Sequence, residues 1–239
     1  MWSRLAAVLL TCLGLFCLAL QPKAQIPLTG AGVAGSAVTC ASGVECYYPV
    51  GLFTYLTNAT TVNTSVNIGA AASDRFVIIG ECHQSAQNPT TAISVNGTGL
   101  SSVITSGTST SIWAGLVTSG SGVQTVAVTY TAGSLGAAQS FFMWMAYTLN
   151  STTVEQTGTG SSDNTGFTIA STNASDFVFT ANCSGGSITI TDPQSSAPPS
   201  HVFSVQGFGT YADWLNPGAH TPFTIAGTGS STGAAASWH

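Results

Sequence analysis

Asp74-Arg75-Phe76-Val77-Ile78-Ile79 opens a run that closes on Phe141-Phe142-Met143-Trp144-Met145-Ala146-Tyr147, and the stretch from Asp74 to Leu149 decides the fold. Between its ends lie short apolar segments separated by Gly, Ser, Thr and Asn. Phe76 to Ile79 is apolar on both faces, as a strand covered on both sides must be. Ile93 and Val95 alternate with Ala92, Ser94 and Asn96, and Asn96-Gly97 is a strong hairpin-turn signal. Val103-Ile104 and Ile112 to Val117 follow; then Val126, Val128 and Tyr130 alternate with Thr125, Ala127 and Thr129 at the period of a half-buried strand. The closing segment sets Phe141, Met143, Met145, Tyr147 and Leu149 on one face and Phe142 and Trp144 on the other, which predicts a central strand.

A polar stretch from Asn150 to Thr165 separates this block from a second one, whose strands are read at Phe167-Thr168-Ile169, Asp176 to Phe179, Ile188 to Ile190, His201 to Val205, Phe223 to Ile225 and Ala234 to Trp238. Short strands at regular intervals predict an all-β, antiparallel β-sandwich over residues 73–239, jelly-roll or Ig-like, divisible into halves 73–149 and 166–239. Composition agrees. Of 239 residues, 44% are hydrophobic and only 5% charged. Amphipathic helices need Lys, Glu, Gln and Leu on their faces, and this chain has few to offer.

Residues 1–24 read as a signal peptide: Arg4 supplies a positive start, Leu5 to Leu20 an apolar core too short for a comfortable membrane span, and Gln21 to Gln25 a polar exit. Export is expected, with no stable membrane span after processing. Residues 25–72 read as an extended N-terminal arm that carries a small disulfide loop and has room for one or two strands. Without the leader, Arg75 is the one base left against eight acids. That shortage excludes a nucleic-acid partner held by its phosphates and an anionic membrane surface.

Four cysteines lie beyond the leader, Cys40, Cys46, Cys82 and Cys183. An even number in an exported chain favours two disulfides, with three connectivities available. An internal echo points to one of them without excluding the others. Cys82 follows Phe76 by six residues and Cys183 follows Phe177 by six, each after an Asp, Asp74 or Asp176. An even spacing puts each Phe and its Cys on one face of a strand, so Cys82 pairs with Cys183 and Cys40 with Cys46, against the alternative that the echo is coincidence. No metal site or cofactor is expected, since no CxxC pair occurs and only His83 stands near a Cys.

Chemistry-bearing groups are few. Glu81 and His83 share one strand face and are the best acid/base pair for a hydrolase, although such a pair at a strand end is more often a solvated rim. Tyr211, Asp213 and Trp214 form a patch that could stack on and hydrogen-bond a sugar, against the alternative of aromatics closing the core. Asn58, Asn63, Asn96, Asn150, Asn173 and Asn182 begin Asn-x-Ser/Thr glycosylation sequons, and Asn182 is expected to be accessible because it faces away from Cys183.

Asp74 to Ile79, then Ser111-Ile112-Trp113-Ala114-Gly115-Leu116-Val117 running through Gly120-Ser121-Gly122 into Val123 to Tyr130, and Ala234-Ala235-Ala236-Ser237-Trp238 resemble a group of β-rich proteins encoded in bacterial genomes and prophages. The resemblance covers residues 73–239 and implies a virion or cell-surface component. The leader and the cysteine-bearing arm depart from that group and point toward a bacterial surface or secreted protein. The expected function is a non-enzymatic structural part of an extracellular assembly or virion, secreted, self-associating or bound to a partner protein. A carbohydrate-binding or adhesive module that takes glycans is the alternative, and an extracellular hydrolase ranks below it.

Overall fold

The structure is a computed structural model and describes residues 50–55, 60–83, 89–131, 139–146, 149–161, 166–184, 190–191, 199–205, 209–215, 217–227 and 231–239. It is all-β and antiparallel. The first half runs β1 (Val50–Tyr55), β2 (Thr61–Asn67), β3 (Phe76–His83), β4 (Thr90–Val95), β5 (Thr98–Gly99), β6 (Ser101–Ser106), β7 (Thr110–Leu116), β8 (Val123–Tyr130) and β9 (Gln139–Ala146). The second runs β10 (Val154–Ser161), β11 (Phe167–Ile169), β12 (Phe177–Ser184), β13 (Ile190–Thr191), β14 (His201–Val205), β15 (Gly209–Leu215), β16 (Phe223–Gly227) and β17 (Ser231–Trp238).

Each half makes a large and a small sheet. In the first half the orders are β1-β9-β3-β7-β6 and β2-β8-β4-β5; in the second they are β10-β17-β12-β15-β14 and β11-β16-β13. The first strand lies beside the last, and the second beside the next to last, which is the wrapping of a jelly roll. The two orders are the same once the β4-β5 hairpin is matched to β13, so one topology occurs twice. Register repeats as well: Phe76 pairs with Leu116 as Phe177 pairs with Leu215.

Side-chain parity distributes three cores across these four layers. Val77, Ile79, Phe141, Met143 and Met145 face the small sheet of their own half, meeting Val62, Val66, Ile93, Val126 and Val128. Phe76, Ile78, Phe142 and Trp144 face the other way, onto Phe177, Phe179, Tyr211 and Trp238 of the second half. Val178, Ala212, Trp214 and Ala235 then meet Phe167, Ile169, Phe223 and Ile225 of the last layer. The large sheets therefore pack back to back, and their inner strands β3, β9, β12, β15 and β17 are buried on both faces.

Aromatic rings fill the middle layer. Phe142 stacks on Phe179 and on Tyr211 with centroids 5.7 Å apart in each case, and Trp144 stacks on Phe177 at 5.3 Å. Gly80 makes room for them. A Cβ there would stand 2.9 Å from both Phe179 Cε1 and Tyr211 Cδ1, closer than carbon atoms pack. At one end of the same interface Cys82 is bonded to Cys183, with 5.3 Å between their Cα atoms and 101 residues between them in the chain. Phe76 and Phe177 are also 101 residues apart, so the bridge joins equivalent positions of the two halves, as expected for residues beside a two-fold axis.

Two boundaries differ from the sequence reading. The β-structure begins before residue 73, because β1 and β2 complete the two sheets of the first half and Val62, Val66 and Ile68 are buried. The second half begins at Val154, inside the stretch read as a polar separator. Gly158 and Gly160 lie directly beneath β11, where a Cβ would come within 2.1 Å of Thr168 O and 2.3 Å of Phe167 Cβ. Glycines that suggest a loop are here the condition for close strand packing. The leader, the arm up to residue 49 and the Cys40–Cys46 pair lie outside the described residues. Among the described residues no helix is long and apolar enough to cross a membrane.

Replacing both Cys82 and Cys183 with Ser is expected to lower stability by about 4 to 5 kcal/mol, the chain-entropy value for a loop of this length. Equilibrium urea unfolding of the two proteins measures it; an unchanged midpoint would mean that the aromatic interface alone holds the halves together.

Candidate functional site

Charged side chains are scarce enough to be followed one by one, and several are buried. Arg75 is fully buried just ahead of β3. Its Nε donates to Val117 O at 2.7 Å, Nη1 to Ile68 O, Gly69 O and Ala70 O at 3.2, 3.5 and 2.8 Å, and Nη2 to Ser119 O and Gly120 O at 2.5 and 2.9 Å. The guanidinium thus gathers the turn after β2 and the turn after β7 at one end of the first jelly roll. Five N–H donors in a rigid fork suit this task, and a lysine has neither the number nor the geometry.

Glu81 is also fully buried, which corrects its reading as part of a solvated rim. Its Oε2 accepts from Ser111 Oγ at 2.8 Å, and that oxygen accepts from Trp113 Nε1 at 2.8 Å. The cavity beside it, lined by Glu81, Thr90, Thr105, Thr110 and Ser111 among others, has a volume of about 10 Å³. That is room for roughly one water and none for a substrate. His83 belongs to β3 by its backbone, while its side chain lies outside the described residues.

Tyr211, Asp213 and Trp214 do not form a surface patch. All three lie in β15, each no more than 1% exposed: Tyr211 faces the interface between halves and Trp214 the outer core, edge-on to Phe223 at 5.3 Å. Because β15 lies inside a sheet that is covered on both faces, alternation cannot bring any of its central residues to solvent. The expected ligand contact is therefore corrected to core packing.

The sequons divide in the same way. Asn63, Asn96, Asn150 and Asn173 are exposed. Asn182 is 1% exposed and donates to Thr180 Oγ1 at 3.1 Å and to Thr210 O at 3.4 Å, so its expected accessibility is corrected. It does face away from Cys183, but that side of the sheet is covered too. Asn58 lies outside the described residues.

The most concentrated set of chemical groups was not singled out in the sequence, because its members come from three separate segments. Glu155 of β10, Asp176 just before β12 and His239 just after β17 meet at one corner of the second half, with one donor atom from each lying within 4.8 Å of the others. Asp176 is fully buried: Oδ2 accepts from Asn173 N at 2.7 Å, and Oδ1 lies 3.0 Å from His239 Nδ1. Asn173 Nδ2 donates to Glu155 Oε1 at 2.9 Å, and Ser175 Oγ lies 3.2 Å from His239 Nδ1. The imidazole is half exposed. The hydrogen bond to Asp176 raises its pKa above the ordinary 6.5, burial opposes this, and the negative charges of Asp176 and Glu155 reinforce it. The arrangement can hold a proton or a cation; it lies at a surface corner and not in a cleft.

Comparison with known protein families, with characterised proteins and with solved structures returned no match.

Two outcomes are expected from these charges. Arg75→Ala removes every guanidinium hydrogen bond while leaving buried carbonyls behind, and should cost about 3 kcal/mol or more in denaturant unfolding, with Arg75→Lys recovering only part of it. The second concerns pH. A folded-state pKa raised above the unfolded 6.5 means that His239 contributes its full stabilisation below that value and loses it as pH rises through the folded one. In chelator-treated buffer the stability difference between wild type and His239→Gln should therefore shrink on going from pH 5.5 to pH 8.5; a difference independent of pH would exclude the imidazolium–Asp176 pair.

Proposed function

We propose that this chain is a non-enzymatic structural component of an extracellular assembly or phage virion, in which the doubled sandwich packs against copies of itself or a neighbouring protein. One observation carries the reading: most of the described groups capable of chemistry are committed to holding the fold. Arg75 binds turn carbonyls, Glu81 anchors Ser111 and Trp113, and Tyr211, Asp213 and Trp214 sit inside the core. A structural role asks for a rigid body rather than a cleft. Back-to-back sheets locked by Cys82–Cys183 supply one, and the bridge fits an oxidising extracellular setting.

The outer face of the first small sheet is consistent with this role. Thr61, Asn63, Ser65 and Asn67 alternate outward along β2 beside Val123 and Thr125 of β8, so the face offers hydroxyls, amides and an exposed Val123 instead of charges. Such a surface can make many neutral hydrogen bonds with little long-range repulsion, as packing among identical neighbours requires. The carbohydrate-binding reading loses the residues that suggested it, and the hydrolase reading loses an accessible Glu81. A jelly roll hosts capsid and lectin functions alike, so the fold does not choose between them.

Isolation of particles or filaments from the producing cells, together with the solution mass of the purified protein, tests the proposal. The chain is expected in the particle fraction, and the purified protein in multimers. A strict monomer that is absent from particles and retained on glycan arrays would overturn it.

A further inference from the structure

We propose that Glu155, Asp176 and His239 form a binding site for a divalent first-row transition ion such as Zn2+, with one imidazole nitrogen and two carboxylate oxygens as ligands and water completing the coordination.

The pair at its centre is close to the spacing an ion needs. Ligand atoms about 2.1 Å from a tetrahedral ion are about 3.4 Å apart. His239 Nδ1 and Asp176 Oδ1 are separated by 3.0 Å, the length of their hydrogen bond. An ion takes the place of the proton between them if the exposed imidazole moves outward by about 0.4 Å. Asp176 is the fixed member, fully buried and with its second oxygen held by Asn173 N. Glu155 is the exposed member, with its donor atom within 4.8 Å of the other two, and it is the group that would move inward to complete the set. Asn173 serves both carboxylates, through its backbone N–H to Asp176 and its side-chain amide to Glu155, which is the outer-shell arrangement that orients metal ligands. A nitrogen beside carboxylate oxygens suits Zn2+, Co2+ or Ni2+ better than Ca2+ or Mg2+, which take oxygen-only shells.

The duplicated topology supplies an independent argument. Asp176 precedes Phe177 as Arg75 precedes Phe76, at the same 101-residue offset that separates the bridged cysteines. Both side chains share the parity of the residue two places on, Val77 or Val178, and so belong to the outer sandwich of their own half. In the first half the residue at this position is a guanidinium, which gathers the turns after β2 and β7. In the second half the equivalent residue is an acid with another acid beside it, and the sequence contains no Lys or Arg after Arg75. Among the described residues of this corner His239 is the one group that can carry a positive charge, and a bound ion would be a second source of it. A bound ion would do for β10, β12 and β17 what Arg75 does for the turns of the first half, tying three segment ends to one centre.

The test uses the full chain, stripped with chelator and titrated at pH 8 with Zn2+ by calorimetry and with Co2+ by visible absorption. One equivalent should bind, Zn2+ should displace Co2+, and the thermal midpoint should rise with Zn2+. Glu155→Gln, an exposed position that leaves the core untouched, and His239→Ala should each weaken binding about tenfold or more, whereas His220→Ala should not. Absence of saturable binding up to about 1 mM Zn2+, undiminished affinity in both site variants, or preference for Ca2+ over Zn2+ would each overturn the proposal.

Discussion

The packing of two five-stranded sheets back to back is the constraint on which the rest of this protein depends. A sheet covered on both faces must be apolar on both, so β3, β9, β12, β15 and β17 carry aromatic, aliphatic or small residues at nearly every position. Large rings occupy the shared interface, and small residues appear where they need space: Gly80 below Phe179 and Tyr211, and Ala234 and Ala236 in β17. Burying a residue such as Phe142 or Trp144 fully is worth about 1.5 to 3 kcal/mol in transfer terms, and stacking adds to it. The single disulfide between described cysteines sits at the end of this interface, where it restrains two sheets that are already packed. Its placement at equivalent positions follows from the repeated topology, since a residue beside a two-fold axis meets its own counterpart.

Doubling one jelly roll leaves the two copies free to differ where they do not touch. Both halves keep an apolar middle, and the residue just ahead of the central strand differs between them in both charge and partners. In the first, Arg75 gathers the turns after β2 and β7 through their carbonyls; in the second, Asp176 meets Asn173, Glu155 of β10 and His239 at the end of β17. Burying a polar group is tolerated in each because it is hydrogen-bonded, Arg75 through Nε, Nη1 and Nη2 and Asp176 at each oxygen, which offsets part of the desolvation cost. The two solutions have opposite sign. That difference leaves the second corner anionic in a chain with almost no cations of its own, and gives it a chemical character that the first lacks.

Much of the architecture was legible from residue patterns. Alternation located most strands, both-face apolarity marked β3 and β9 as central, and the even Phe-to-Cys spacing pointed to the Cys82–Cys183 bridge that the structure contains. Other features were hidden because their meaning lies in what covers them. The Thr- and Asn-rich β2 and the Gly-rich β10 look like loops or linkers, yet Val62 and Val66 fill a core and Gly158 and Gly160 admit β11 at close range. Glu155, Asp176 and His239 carry no motif, being drawn from three segments between 21 and 84 residues apart.

Within the strands it located, the sequence by itself determined which residues share a face, because the two-residue period of a strand is a local property of the backbone. It thereby determined that Cys82 lies with Phe76 and that Asn182 lies opposite Cys183. Only the tertiary structure decided which of those faces meet solvent. Asn182 and Trp214 alternate as expected and are nonetheless inside, because a further sheet lies over the side that alternation alone would leave open. The opening run from Asp74 to Leu149 is thus most of one jelly roll of two, and its aromatic strand β9 is central because the second half covers the face that the first cannot.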